Sequence, residues 1–127
     1  MIELDHLNLM VADVARSRAF YEPLLAPHGY VVNRDFGDVA VGFGSGPYAV
    51  LALVRTRTPV QPIHLAFRLQ SRAEVNRFFE TALSLGASAN GAPGLRPHYH
   101  ESYYAAFVID PDGHNLESVC HLPEDAA

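Results

Sequence analysis

The stretch Asp5-His6-Leu7-Asn8-Leu9 has a counterpart in Ile63-His64-Leu65-Ala66-Phe67. Each histidine opens a short segment in which apolar residues alternate, the period of a strand with one buried face. Fourteen residues after each histidine comes an aromatic pair, Phe20-Tyr21 and Phe78-Phe79. A glutamate follows each pair (Glu22, Glu80), and a leucine stands three residues further on (Leu25, Leu83). The chain reads as one module written twice, with its two histidines in equivalent places. Modules of this kind that pair edge to edge bring equivalent residues to a shared centre. Two imidazoles at such a centre point to a metal ion.

Working outward, Ile2 to Val11 reads as a strand, with Ile2, Leu4, His6, Asn8 and Met10 on one face and Leu7, Leu9 and Val11 on the other. Asp13 is placed to cap a helix over Val14 to Leu25, with Pro23 inside its last turn and Gly29 as the stop. Three strands follow, Tyr30 to Phe36, Val39 to Phe43 and Tyr48 to Arg55, punctuated by Gly37-Asp38 and Gly44-Ser45-Gly46-Pro47. The segment from Thr56 to Pro62 reads as the linker between the halves. A strand over His64 to Leu69 is expected next. Ser71 with Glu74 then forms a capping box for a helix whose apolar face carries Val75, Phe78, Phe79, Ala82 and Leu83. The Gly- and Pro-rich segment Asn90 to Pro97 reads as loop, within a longer connection of about Ala87 to Ser102. Tyr103 to Ile109 and Asn115 to His121 are strands, joined by the turn Asp110-Pro111-Asp112-Gly113. The tail from Pro123 to Ala127 is expected to fray.

The chain has 127 residues, which is one domain, with module one at about 1–57 and module two at about 62–122. Hydrophobic residues make up 49% and charged residues 18%, the balance of a folded chain. The net charge of −5 and the absence of clustered basic residues argue against nucleic acid as a partner. All nine basic residues are arginine. The single Cys120 has no partner for an internal disulfide, which suits a reducing compartment. It alternates away from Glu117 and reads as packing. No basic segment ahead of a long apolar stretch marks a signal peptide, and no apolar run reaches membrane-spanning length, so no membrane is expected and the cytoplasm is the default location.

The third member of the constellation is Glu117, on the closing strand of the second half. Two histidines and a carboxylate form a facial triad with open positions, suited to Fe, Mn, Co, Ni or Zn as divalent ions. His64 shares its strand face with Ala66 and Arg68, and His6 shares its face with Asn8, so both imidazoles have polar neighbours. The plainer alternatives stand beside this. A strand histidine is commonly a satisfied core or surface residue, and a strand glutamate is commonly solvated or paired with an arginine.

The segments Asp5-His6-Leu7-Asn8-Leu9-Met10-Val11-Ala12-Asp13 and Ser17-Arg18-Ala19-Phe20-Tyr21, His64 at the head of the second half, and Asp110-Pro111-Asp112-Gly113-His114-Asn115-Leu116-Glu117 together resemble the vicinal oxygen chelate superfamily of glyoxalases, bleomycin-resistance proteins and extradiol dioxygenases. The resemblance covers nearly the whole chain. It implies an α+β fold in which two βαβββ modules form an open, mixed-sheet half-barrel, helices on its outer face, around one divalent metal. The ligands it implies are His6, His64 and Glu117. Typical glyoxalase I enzymes take a fourth, a carboxylate from the last strand of the first half. Aligning Gly46 with Gly113 puts Val50 there, and a one-residue gap puts Leu51. Neither residue binds metal or moves a proton, which argues against that particular isomerisation.

The segment Arg96-Pro97-His98-Tyr99-His100 leads into Tyr103-Tyr104. His98, His100 and Tyr104 are the candidates for acid/base work, and Arg68, Arg96 and Tyr103 for binding an anionic or aromatic substrate. An exposed Tyr/His loop is also ordinary surface; length and Gly/Pro content favour a lid. The expected function is a metal-dependent lyase or dioxygenase acting on a small molecule through two adjacent oxygens, with a homodimer expected from the resemblance. Two alternatives are a thiol transferase of the fosfomycin-resistance type and a metal-free drug-binding protein of the bleomycin-resistance type. The latter has no need of His6, His64 and Glu117 together.

Overall fold

A computed structural model of the chain describes residues 1–124; of the tail expected to fray, residues 125–127 lie outside the described residues. The chain divides between Gln61 and Pro62 into two compact units. The first runs β1 (Leu7–Val11), α1 (Val14–Leu25), β2 (Val31–Asp35), β3 (Ala40–Gly44) and β4 (Leu51–Arg55). The second runs β5 (His64–Arg68), α2 (Arg72–Ser84), β6 (Ser88–Leu95), β7 (Tyr104–Ile109) and β8 (Asn115–Cys120). Each unit is βαβββ, with an open four-stranded mixed sheet of order β1-β4-β3-β2 or β5-β8-β7-β6. The fold is α+β, as the repeated pattern of strand and helix periods predicts.

The first helix follows from its sequence. Asp13 is extended and its side chain accepts the Arg16 N–H at 3.1 Å, satisfying one of the free amides of the first turn. Phe20, Tyr21 and Leu24 are buried against the sheet, where Leu9 and Val11 are fully covered. Asn8 and Met10 are exposed, so β1 keeps the two faces its alternation predicts. The strand is shorter than expected, however. It begins at Leu7, and Ile2 and Leu4 are almost fully exposed. The reason is the partner strand. β4 starts at Leu51, opposite Leu7, and Val50 offers the Leu7 N–H only a last carbonyl at 3.0 Å.

In the second unit Ser71 Oγ accepts the Glu74 N–H at 3.2 Å, and Glu74 Oε2 reaches back to the Gln70 N–H at 3.0 Å, one residue beyond the usual capping box. Val75, Phe78 and Ala82 are buried, while Leu83 at the helix end is exposed. The largest departure from the sequence reading is β6. The expected loop over 90–97 is strand from Ser88 to Leu95. Its pairing with β7 shifts register twice, between Ala89 and Gly91 and between Gly91 and Gly94. Such shifts absorb unpaired residues, and Pro93 is tolerated because β6 is an edge strand. Arg96 also closes the irregular stretch, donating to Gly94 O and Ala92 O, each at 2.8 Å. Only the turn between β6 and β7 remains irregular, and it is knitted by Arg96 N–H to Tyr103 O at 2.7 Å and Tyr99 N–H to Arg96 O at 3.0 Å.

Candidate metal centre

In the second unit α2 covers one face of the sheet. Phe67 meets Phe78 at a ring separation of 5.6 Å, and Ser118 Oγ faces Val75 O. Alternation then sends His64, Ala66 and Arg68 of β5 and Glu117 of β8 to the other face. Ala66 pairs directly with Glu117, and Phe107 of β7 flanks it on the other side. Glu117 is 2% exposed, although it is a carboxylate. Both its oxygens are engaged: His64 Nε2 lies 2.8 Å from Oε1, and the Tyr103 hydroxyl donates to Oε2. No arginine pairs with it among the described residues, which sets aside the plainer reading of Glu117 as a solvated or arginine-paired side chain. His64 itself is half exposed at the head of an edge strand, its ring 6.0 Å from that of Phe107.

A buried carboxylate oxygen beside an accessible imidazole nitrogen is a donor set that fits a divalent first-row ion. Tyr103 behind it fixes the carboxylate, as the outer partners of metal ligands do. Among the described residues no group of three or more His, Cys, Asp or Glu side chains gathers in the form of a complete cation site. His6 belongs to the first unit, just ahead of β1, half exposed, with Nδ1 2.6 Å from Asp5 Oδ2.

Strand register decides the fourth-ligand question. Asn8 pairs with Ala52, and Ala66 pairs with Glu117. Asn8 and Ala66 stand two residues after the equivalent histidines, so the counterpart of Glu117 in the first unit is Ala52. The alignments that put Val50 or Leu51 there are corrected by one or two residues. Alanine, like valine and leucine, offers no carboxylate at that position.

The remaining predicted residues fall into two groups. Arg68 shares the His64 face, is exposed, and has no ion-pair partner among the described residues. Tyr103 joins the site directly. Tyr104, one residue on, faces the other way: its hydroxyl donates to Asn76 Oδ1 on α2 at 2.7 Å, and Arg72 lies over its ring. Arg96 holds β6 and lies over Phe107, 5.4 Å from the ring centre. His98 is exposed and packs on Tyr99 at 4.2 Å. His100 Nδ1 accepts the Ser102 N–H at 3.1 Å, so its proton sits on Nε2 and is directed at His121 Nδ1, 2.8 Å away. Both rings of that pair lie edge-on to Tyr103, at 5.4 and 5.3 Å. His121 alternates with Glu117, which offers it a place at the rim of that face, although a solvated terminal histidine is the plainer reading; it is exposed and paired with His100. Cys120 is buried, as its alternation predicts.

Burial pushes the Tyr103 phenol up to about 12, helped by its hydrogen bond to Glu117 and by that carboxylate's charge. A folded value above the ordinary one means the folded state holds the proton longer. The associated stability is complete below about pH 10 and is lost as pH rises through about 12. Absorbance titration of the metal-free protein should therefore give matching curves for wild type and Tyr103→Phe up to about pH 11, with one phenolate fewer in the variant only above it. A missing phenolate already at about pH 10 would contradict the assignment.

The family profile of the Glyoxalase/Bleomycin resistance protein/Dioxygenase superfamily matches residues 3–118. The chain belongs to that superfamily. Among solved structures it is similar to a glyoxalase/bleomycin resistance protein from Albidiferax ferrireducens T118, at 21% identity and a TM-score of 0.80, over 91% of this chain and 97% of that one. It is similar to a lactoylglutathione lyase from Agrobacterium tumefaciens, at 19% identity and a TM-score of 0.72, over 94% of both chains. A glyoxalase/bleomycin resistance protein/dioxygenase family enzyme from Burkholderia phytofirmans PsJN matches at 18% identity and a TM-score of 0.73, over 95% of this chain and all of that one. At these identities the likeness is one of fold. No functionally curated protein matches the chain. Among the described residues no helix is long and apolar enough to cross a membrane.

Proposed function

We propose that this protein is a metal-dependent enzyme acting on a small molecule that presents two adjacent oxygens, with His6, His64 and Glu117 as the protein ligands of one divalent ion. The observation that carries the reading is the buried Glu117 carboxylate held between His64 and Tyr103. A metal-free drug binder has no use for a buried carboxylate aimed at an accessible imidazole. His6 enters as the repeat equivalent of His64, supplied by the same chain or by the second copy of a homodimer. The two units act as halves of one domain.

The ion, Fe, Mn, Ni, Co or Zn, would supply Lewis-acid stabilisation of negative charge on the substrate oxygens. The chain's own groups supply the rest. Tyr103 keeps its proton and holds Glu117 in one orientation. Arg68 sits on the His64 face and pairs with an anionic group of the substrate. The His100–His121 pair, whose rings lie edge-on to Tyr103, and His98 on the same connection take the proton that leaves the substrate. With Ala52 in place of a fourth carboxylate, the reaction is closer in its ligand set to a dioxygenase or a thiol transfer than to glyoxalase I isomerisation. The single Cys120, with no partner for an internal disulfide, suits a cytoplasmic enzyme.

The test is metal analysis of protein purified without chelator, followed by titration with Fe(II), Mn(II), Ni(II) and Zn(II). About one equivalent bound per chain is expected, and less than about a tenth with no uptake on titration rejects the reading. The loaded protein is then screened against catechols, hemithioacetals and fosfomycin with a thiol to assign the reaction.

A further inference from the structure

His114 is a histidine that the proposed chemistry does not use, and it is completely buried. It follows the turn Asp110-Pro111-Asp112-Gly113, where Asp110 Oδ1 accepts the N–H groups of Asp112 and His114 at 2.9 and 2.8 Å. Gly113 takes φ +93, which a side chain would strain, and its Cα side faces the Pro62 ring. The turn is thus fixed internally and set against the start of the second unit.

What the turn holds is the residue before His64. The Ile63 N–H donates to His114 Nδ1 at 3.0 Å, and the Ile63 carbonyl accepts the Asn115 N–H at 2.9 Å. Both polar groups of Ile63 are therefore tied to consecutive residues, 114 and 115. His64 comes next, already inside β5 and paired with Asn115.

The first unit supplies an internal comparison. Leu7 pairs with Leu51 there as Leu65 pairs with Leu116 here, so Ala49 is the counterpart of His114 and Asp5 that of Ile63. Alanine has no acceptor to offer. The Val50 N–H, counterpart of that of Asn115, donates to Phe43 O at 2.8 Å. In that copy the strand begins at Leu7, and His6 lies outside it. The copy with the buried imidazole includes its histidine in the strand; the copy without it does not.

We infer that His114 is a positioning residue for His64: its Nδ1 draws the Ile63 amide into register and so extends β5 by the one residue that aims an imidazole at Glu117. The inference rests on the metal reading for its consequence and on backbone geometry for its substance. The acceptor at Nδ1 is what matters, so His114→Asn, whose Oδ1 occupies nearly the same place, retains the function. His114→Leu keeps the bulk and removes the acceptor.

Two measurements test this on the full chain. Mn(II) affinity by calorimetry should fall about tenfold or more in His114→Leu and stay within about threefold of wild type in His114→Asn. Amide hydrogen exchange of Ile63, measured without metal, should speed up at least about tenfold in His114→Leu and not in His114→Asn. A folded His114→Leu protein with wild-type affinity and wild-type exchange at Ile63 overturns the inference. So does a folded His114→Asn protein that loses both, and this variant decides the matter if His114→Leu does not fold. If wild type takes up no metal, the functional reading fails by itself, and the exchange rates still decide the role of His114.

Discussion

His64→Ala should abolish divalent metal uptake and leave the fold in place. His64 is half exposed on the edge strand β5, whose half-buried packing face is made by Leu65 and Phe67 on the other side. Truncating the imidazole opens no core cavity but takes one hydrogen bond from the buried Glu117 carboxylate, so a loss of about 1 kcal/mol is expected. What is lost is the ring nitrogen 2.8 Å from Glu117. Metal content by elemental analysis should drop from about one equivalent to background, with circular dichroism unchanged and Tm lowered by no more than about 5 °C. A variant that unfolds while wild type holds no metal would make His64 a structural residue.

Glu117→Gln should separate function from stability in the opposite sense. The carboxylate is buried between a phenol and an imidazole, with no cationic arginine to offset its desolvation among the described residues. Glutamine has nearly the same shape, and its oxygen still accepts the Tyr103 hydroxyl, while the buried charge disappears. Replacing buried charge by a neutral group of like volume is often stabilising, by about 1 kcal/mol or more. For a chain of this size that raises the Tm of the metal-free protein by about 3 °C or more. Metal affinity should fall at least about a hundredfold, beyond the effect of losing an outer partner. Thermal unfolding with and without Mn(II) measures both. A metal-free variant clearly less stable than wild type would mean that Glu117 serves the fold.

Much of this was readable from local chemistry. The bounds of α1, the caps at Asp13 and Ser71 and the alternation of β5 and β8 all depend on neighbours in sequence. The placement of Glu117 on the His64 face needs the strand period and the β5–β8 register together. The misreadings share one cause, which is pairing with a distant partner. The glycines and proline of β6 argue for loop until β7 supplies a ladder that tolerates bulges. The first strand looks long until β4 is seen to start at Leu51. The choice between Tyr103 and Tyr104 depends on Tyr104 pairing with Cys120, which also faces away from Glu117. Ala52 as the counterpart of Glu117 depends on register in the same way. The part played by His114 was hidden for the further reason that a histidine in a turn signature carries no mark of accepting a particular amide.

The central claim is that the imidazole of each repeat and the carboxylate of the last strand serve one cation. Anomalous diffraction at the manganese edge, from crystals grown with one equivalent of Mn(II), tests it most directly. A single strong peak per chain is expected within bonding distance of His64 Nε2 and a Glu117 oxygen, with His6 of the same chain or of a second copy completing the protein ligands. A peak confined to the exposed His98, His100 and His121, or no peak at all, would contradict it.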